Sequence, residues 1–276
     1  MSQKARTDDS MTGTTAHDTV PPTLLEVALR HDRVPAALLV IALPLVCWTW
    51  IIVMARDMYG PMTGASAWMM TATWDMPHLL LLWAMWAVMM AGMMLPSASP
   101  MLLLYGVAAR RSATPVAASR QIHALAAGYL AAWTLFSLGA TMLQRVLARL
   151  LLVSSMMKVA NPRVGATLLF IAGVYQLTPM KQVCLRTCQS PFGFLMSRWR
   201  NGWTGAFRIG FEHGFFCVGC CWALMLLLFV AGVMNLGVIA ALTVFVAFEK
   251  LARFGVQGSR ITGLFLLGAG FWMLLR

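Results

Sequence analysis

Seven apolar stretches of this chain are candidates to cross a bilayer as helices, and they limit the fold more than any other feature. About 20 apolar residues span a hydrocarbon core of about 30 Å as a helix. The candidates are residues 35–54, 79–109, 122–143, 164–180, 210–230, 234–248 and 261–275, the sixth being short. Inside lipid, every backbone polar group needs a partner within the protein. The expected fold is therefore all-α, a polytopic transmembrane helical bundle of about seven spans. Charged residues make up only 11% of the chain, against about 25% in soluble domains.

The chain carries 21 Lys+Arg against 9 Asp+Glu. In a soluble protein that excess would point to nucleic acid. Here the basic residues lie in connections between apolar runs, where topology alone requires them, so no nucleic-acid partner is expected. Arg110, Arg111 and Arg120 follow the second run, Lys181, Arg186, Arg198, Arg200 and Arg208 the fourth, and Lys250, Arg253 and Arg260 the sixth. These charges predict a multi-pass membrane protein with its N-terminus inside and its C-terminus outside.

Arg145, Arg149, Lys158 and Arg163 fall on the side predicted to be outer and disagree with that pattern. The string "QRVLARLLLVSSMMK" reads as an amphipathic helix in the interface, or else the count is wrong by one span. Residues 1–33 are polar and mixed in charge, too long and too acidic for the n-region of a signal peptide. They are expected to form a disordered cytoplasmic tail, with residues 34–276 as one transmembrane domain.

The second run contains "AGMMLPSASPM". Pro96 and Pro100 each remove a backbone donor, so this span is expected to be broken there. Backbone opened at membrane depth must face the protein interior. Such breaks often mark binding sites in transporters, although a kinked helix without a ligand fits the same string. The recurring strings "MAGMMLP", "IAGVYQL", "VAGVMNL" and "GAGFWML" read as close helix packing through small residues.

The chemistry concentrates in "HGFFCVGCC", residues 213–221. On a helix, His213 and Cys217 are i, i+4, as are Cys217 and Cys221, while Cys217 and Cys220 are i, i+3. The four share an arc of roughly 100°, and Met225 continues it from Cys221. Upstream, "CLRTC" supplies Cys184 and Cys188 in the connection after the fourth run. Cys47 stands alone and reads as packing. Glu212 is a further candidate ligand, with pairing to Arg208 as its alternative. Glu249 and Lys250 read as a pair or as anchors at the membrane edge.

Thiolates and thioethers select Cu(I), zinc or iron–sulfur clusters, and imidazole suits copper and zinc. There are 22 methionines. Met85, Met89 and Met93 form an i, i+4, i+8 stripe beside Met90 and Met94, with Met101 after the prolines. Met58, Met62, Met69, Met70, Asp75, Met76 and His78 precede them. Each Met alone is ordinary core filling. Together with the cysteines they favour copper, because thioethers bind Cu(I) and bind zinc poorly. An outer Met/His group, a Met stripe and an inner Cys group would carry a monovalent ion down a gradient of affinity.

The strings "YQLTPMKQVCLRTCQSPFGFL", "EHGFFCVGCCWALM", "GVMNL" and "EK", with the Met-rich "MWAVMMAGMMLPSASPM", resemble a bacterial family of metal-binding integral membrane proteins of uncharacterised function, some labelled copper chaperones. The resemblance covers residues 79–250. It implies metal binding and supplies no established reaction.

The residues and the resemblance together predict Cu(I) binding and relay or delivery, serving a copper enzyme or other membrane subunits as partners. The inner ligands would be His213, Cys217, Cys220 and Cys221, joined by Cys184, Cys188, Glu212 and Met225. Outer capture would use His78 and Met76, with Met89 and Met93 on the path. Three other readings fit parts of the pattern: a copper oxidase or oxygenase acting on a lipophilic substrate, a membrane thiol–disulfide oxidoreductase, and a structural zinc or iron–sulfur subunit. No catalytic constellation emerges. With no P-loop and no heavy-metal pump motif, ATP-driven transport by this chain alone is not expected.

Overall fold

The computed structural model describes residues 38–60, 75–150, 152, 159–252 and 254–275. The polar segment 1–33 lies outside them, as do Met62, Met69, Met70 and Lys158. The described residues form helices and connections without a strand. After a π-helical turn at Leu38–Ala42 come α1 (Leu43–Met58), α2 (Met76–Ser112), α3 (Pro115–Arg149), α4 (Pro162–Leu177) and α5 (Pro179–Gln189). They are followed by α6 (Pro191–Arg198), α7 (Gly202–Met225), α8 (Leu227–Ala231), α9 (Leu236–Leu251) and α10 (Gly255–Leu275).

Polar cap residues followed by Pro start many of these helices. Thr114, Asn161 and Thr178 accept from the backbone N–H of Ala117, Arg163 and Lys181, with Pro115, Pro162 and Pro179 next in each chain. Pro costs nothing at the first helical position, where its missing donor would be unpaired anyway. Asp75 caps α2 in the same way through His78 N at 3.1 Å.

The described residues of all seven expected runs lie in helices, apart from the breaks at Thr178 and Leu226 and the first two residues of the sixth run, Met234 and Asn235, but the span count needs correcting. Among the described residues, five helical segments are long and apolar enough to cross a membrane: Leu38–Met58, Met76–Ser112, Pro115–Arg149, Gly202–Ala231 and Gly255–Leu275. The run at 164–180 is not one span. Thr178 ends α4, and Pro179 opens α5 at a 64° bend; counting this bent pair gives six. The 16 residues of α9 reach about 24 Å at about 1.5 Å each, short of a hydrocarbon core.

Two further expectations are corrected. The first part of the string that begins at Gln144 does not start a separate interfacial helix, because Gln144–Arg149 end the 35-residue α3; residues 151 and 153–158 of that string lie outside the described residues. Gln144 is buried and accepts from Trp86 Nε1 at 2.7 Å. Nor is the second run broken: α2 continues for 37 residues through Pro96 and Pro100. Pro96 removes the donor that the Gly92 carbonyl would have used. Trp48 Nε1, on α1, supplies one instead at 3.2 Å. Trp48→Phe is therefore expected to lower stability by about 1–2 kcal/mol, the cost of a buried carbonyl left unpaired. Thermal unfolding in detergent would measure it; an unchanged midpoint would mean the carbonyl is satisfied another way.

The bundle's core runs along α2, α3 and α7. Glycines bring the backbones of α3 and α7 into contact: a Cβ at Gly210 would lie 1.9 Å from Leu125 O. On the other side of the molecule α4 and α10 meet through Gly173 and Gly263, each facing the other's carbonyl. Of the glycines in the recurring strings, Gly173 sits at this backbone contact; a Cβ at Gly270 would lie 3.3 Å from Ala166 O, one at Gly92 would lie 3.0 Å from the Cys47 side chain, and one at Gly268 would have nothing within 4 Å. Gly232 does a different job, ending α8 at φ 100°, a left-handed value that favours glycine.

Candidate metal centre

The middle of α7 points into this core. His213, Cys217, Cys220, Cys221 and Met225 are all buried, as expected of one face of a helix. The six cysteines form no disulfide. Cys220 Sγ lies 3.2 Å from Cys221 Sγ and donates to Cys217 O at 3.1 Å. The apolar surroundings of α7 thus hold three thiols and an imidazole within three turns.

Helix α5 brings up the second cysteine pair. The sequence reading placed Cys184 and Cys188 in a loop. They stand instead one helical turn apart on α5, half-buried. Cys184 Sγ packs where a Cβ at Gly219 would be, 2.9 Å away. A glycine at 219 is therefore what lets α5 lay this thiol against α7.

Helix α6 covers the same region. Phe194 packs edge-on against His213, with ring centroids 5.3 Å apart. Arg198 lies over both Phe194 and Phe216. On the other side His213 meets the ring of Tyr129, centroids 6.0 Å apart. Within these aromatic walls, His213 Nδ1 is buried and has no hydrogen-bond partner among the described residues. A buried polar atom without a partner needs explaining, and an imidazole nitrogen one turn from a thiol is a soft-metal donor.

Cys217 has the richest surroundings. Tyr129 OH lies 3.0 Å from its Sγ and also donates to Met94 O at 3.0 Å. Lys250 Nζ, from the last turn of α9, donates to Cys217 Sγ at 2.8 Å and to Ser97 Oγ at 3.0 Å. Lys250 is only 6% exposed, so it is neither a snorkelling anchor nor the partner of Glu249. Glu249 turns the other way and pairs with the buried Lys181 at 2.8 Å. Sequence reasoning missed Tyr129, Ser97 and Lys181, and it missed the role of Lys250. The signal available was an ionisable residue inside an apolar helix. Its partner, 33 positions away, could not be read from spacing.

The remaining candidates scatter. Glu212 keeps a carboxylate engaged by three cations: Arg198 at 2.6 Å, Arg208 at 3.2 Å and Arg200 at 3.5 Å. Met85, Met89, Met90, Met93, Met94 and Met101 are all buried along α2. The stripe Met85–Met89–Met93 continues at the same spacing to Ser97, the residue that Lys250 touches. Near the start of α2, His78 is buried but Met76 is 69% exposed, so the two are not equivalent. Cys47 is buried against Gly92, in keeping with packing. Among the described residues, no three His, Cys, Asp or Glu side chains converge as a preformed metal cage.

Residues 83–273 match the family described as PpoB2, copper chaperone, and the chain belongs to that family. No curated protein and no solved structure matches it. The matched residues include α7, α5, Ser97, Tyr129 and Lys250, and so hold the whole thiol-centred site.

Proposed function

We propose that the protein binds Cu(I) within the bundle and passes it on, acting as a membrane-embedded copper chaperone. Copper is the cargo here, not a resident cofactor. The observation that carries this reading is the buried face of α7, where three thiols share the helix face of an imidazole nitrogen that has no hydrogen-bond partner among the described residues. The donor chemistry fits a soft monovalent ion. Cys217, Cys220, Cys221 and His213 are the inner ligands. Cys184 and Cys188 would hand the ion on to a copper enzyme or another membrane subunit, a role supported by their half-buried position on α5.

The buried thioethers of α2 support a path inward. From Met85 to Ser97 is 12 residues, about 18 Å at about 1.5 Å each, and Ser97 already belongs to the cluster around Cys217. His78 and Met76 stand at the far end of that helix as the capture site. On this reading the basic connections lie on the cytoplasmic side of the bacterial inner membrane, and the thiols face that side.

The test is metal content. Protein purified anaerobically in detergent should carry copper, and Cys217→Ser/Cys221→Ser, which removes two thiolates, should lose at least about tenfold in Cu(I) affinity, equivalent to about 1.4 kcal/mol, and so retain less copper. Elemental analysis of copper, zinc and iron per chain reads it. Zinc or iron in place of copper, or copper indifferent to both substitutions, would sink the proposal.

A further inference from the structure

The described interior holds two ammonium groups and one carboxylate. Lys181, Glu249 and Lys250 are 0%, 1% and 6% exposed. Lys181 and Glu249 neutralise each other. Lys250 is left as the excess cation, and its Nζ is directed at Cys217 Sγ, 2.8 Å away, with Ser97 Oγ as its other contact. An uncompensated charge in the interior of a bundle is expensive. The position of this one is therefore a functional question.

We infer that Lys250 sets the charge of the metal that the Cys217 site accepts, as a fixed positive charge that makes a monovalent ion the neutral choice. This rests on the Cu(I) reading above and deepens it. Metal ligands bind as thiolates and release their protons. When a cuprous ion binds Cys217 and either Cys220 or Cys221, two S–H protons leave and two Cu–S bonds form. The product, one Cu(I) with two thiolates, carries a charge of minus one. Lys250 beside it brings the site to zero. A zinc ion on the same two thiolates is already neutral, and Lys250 would then leave a net positive charge in an apolar interior. Zinc could reach the same neutrality only by taking a third thiolate, and among the described residues no three such donors converge. At a site of two thiolates the lysine thus favours the monovalent ion and disfavours the divalent one.

Geometry supplies the rest. Lys250 touches the cluster through a sulfur and a hydroxyl, and neither prevents it from remaining beside Cys217 when metal binds. Ser97 holds the ammonium from the α2 side, at the end of the methionine stripe. Lys250 is therefore a specificity-determining residue, not itself a ligand.

The experiment compares wild type, Lys250→Met, Lys250→Gln and Lys250→Arg, each as the full chain in detergent under anaerobic conditions. Cu(I) affinity is read by competition with a chromogenic cuprous chelator, and Zn(II) affinity by competition with a zinc indicator. Lys250→Met and Lys250→Gln should lower the Cu(I)-to-Zn(II) affinity ratio at least tenfold. Lys250→Arg, which keeps the charge, should stay within about threefold of wild type. Gln retains donors for Ser97 and Cys217, so it serves if the Met variant does not fold. An unchanged ratio in a neutral variant, or an equal loss for both metals, would overturn the charge assignment while leaving copper binding standing. A wild type that takes up no Cu(I) would overturn both.

Discussion

Glu249→Gln is expected to destabilise the folded bundle by about 3–5 kcal/mol, the usual cost of removing one partner from a buried ion pair. Lys181 Nζ lies 2.9 Å and 2.8 Å from the two carboxylate oxygens of Glu249. Both side chains are at most 1% exposed. Lys181 also donates to Gln176 Oε1. Ser259 Oγ donates to Gln176 O at 2.9 Å, and Gln189 Nε2 donates to Glu249 O at 2.7 Å. This one network therefore joins α4, α5, α9 and α10. Losing the carboxylate's charge leaves an ammonium buried with no counter-charge. The double change Lys181→Met/Glu249→Leu should recover most of the loss, since apolar residues of similar size often replace such a pair without penalty. Thermal unfolding of the three proteins in detergent separates the cases. If the double variant is as unstable as the single, the pair matters for its shape and not for its charge.

The second large effect belongs to the crossing of α3 and α7. Gly210→Ala should destabilise by about 3 kcal/mol or more, at the upper end of what overpacking costs. The added Cβ would stand 1.9 Å from Leu125 O, and at Gly128 the equivalent atom would stand 2.0 Å from Phe207 O. Backbone cannot rotate aside as a side chain can, so the two helices must separate. Small residues that let backbones meet are how helices associate in lipid, where the hydrophobic effect no longer drives them together. The damage would extend to the site, because the 3.0 Å contact of Tyr129 OH with Cys217 Sγ bridges these same helices. Gly139→Ala on the same α3, with nothing within 4 Å of its Cβ, is the control. It should be neutral or slightly stabilising, Ala being the better helix former. Equal effects at 210 and 139 would refute the steric account.

The helices themselves were legible in the sequence, and the reason is physical. A segment in lipid must satisfy its own backbone and present apolar side chains, so hydropathy alone locates it. The face of α7 was legible too, because 3.6 residues per turn puts His213, Cys217 and Cys221 on one side wherever the helix stands. Proline was the less dependable signal. Pro179 does end a helix, since Thr178 caps a new one at 64° to the last. Pro96 does not, because the indole of Trp48 reaches the carbonyl that it leaves unpaired. That difference lies in another helix and cannot be seen in "AGMMLPSASPM".

The sequence by itself determined which apolar runs are helical, which face of α7 carries soft donors, and the family to which the chain belongs. Hydropathy and periodicity carry the first two, and the Cys- and Met-rich strings carry the third. Only the tertiary structure decided which neighbours those donors have. It set Lys250 on Cys217, turned Glu249 to Lys181, laid α5 against Gly219 and left His213 Nδ1 without a hydrogen-bond partner among the described residues. Those outcomes depend on how helices far apart in the chain cross, and a crossing is fixed by the fit of surfaces that no single segment contains.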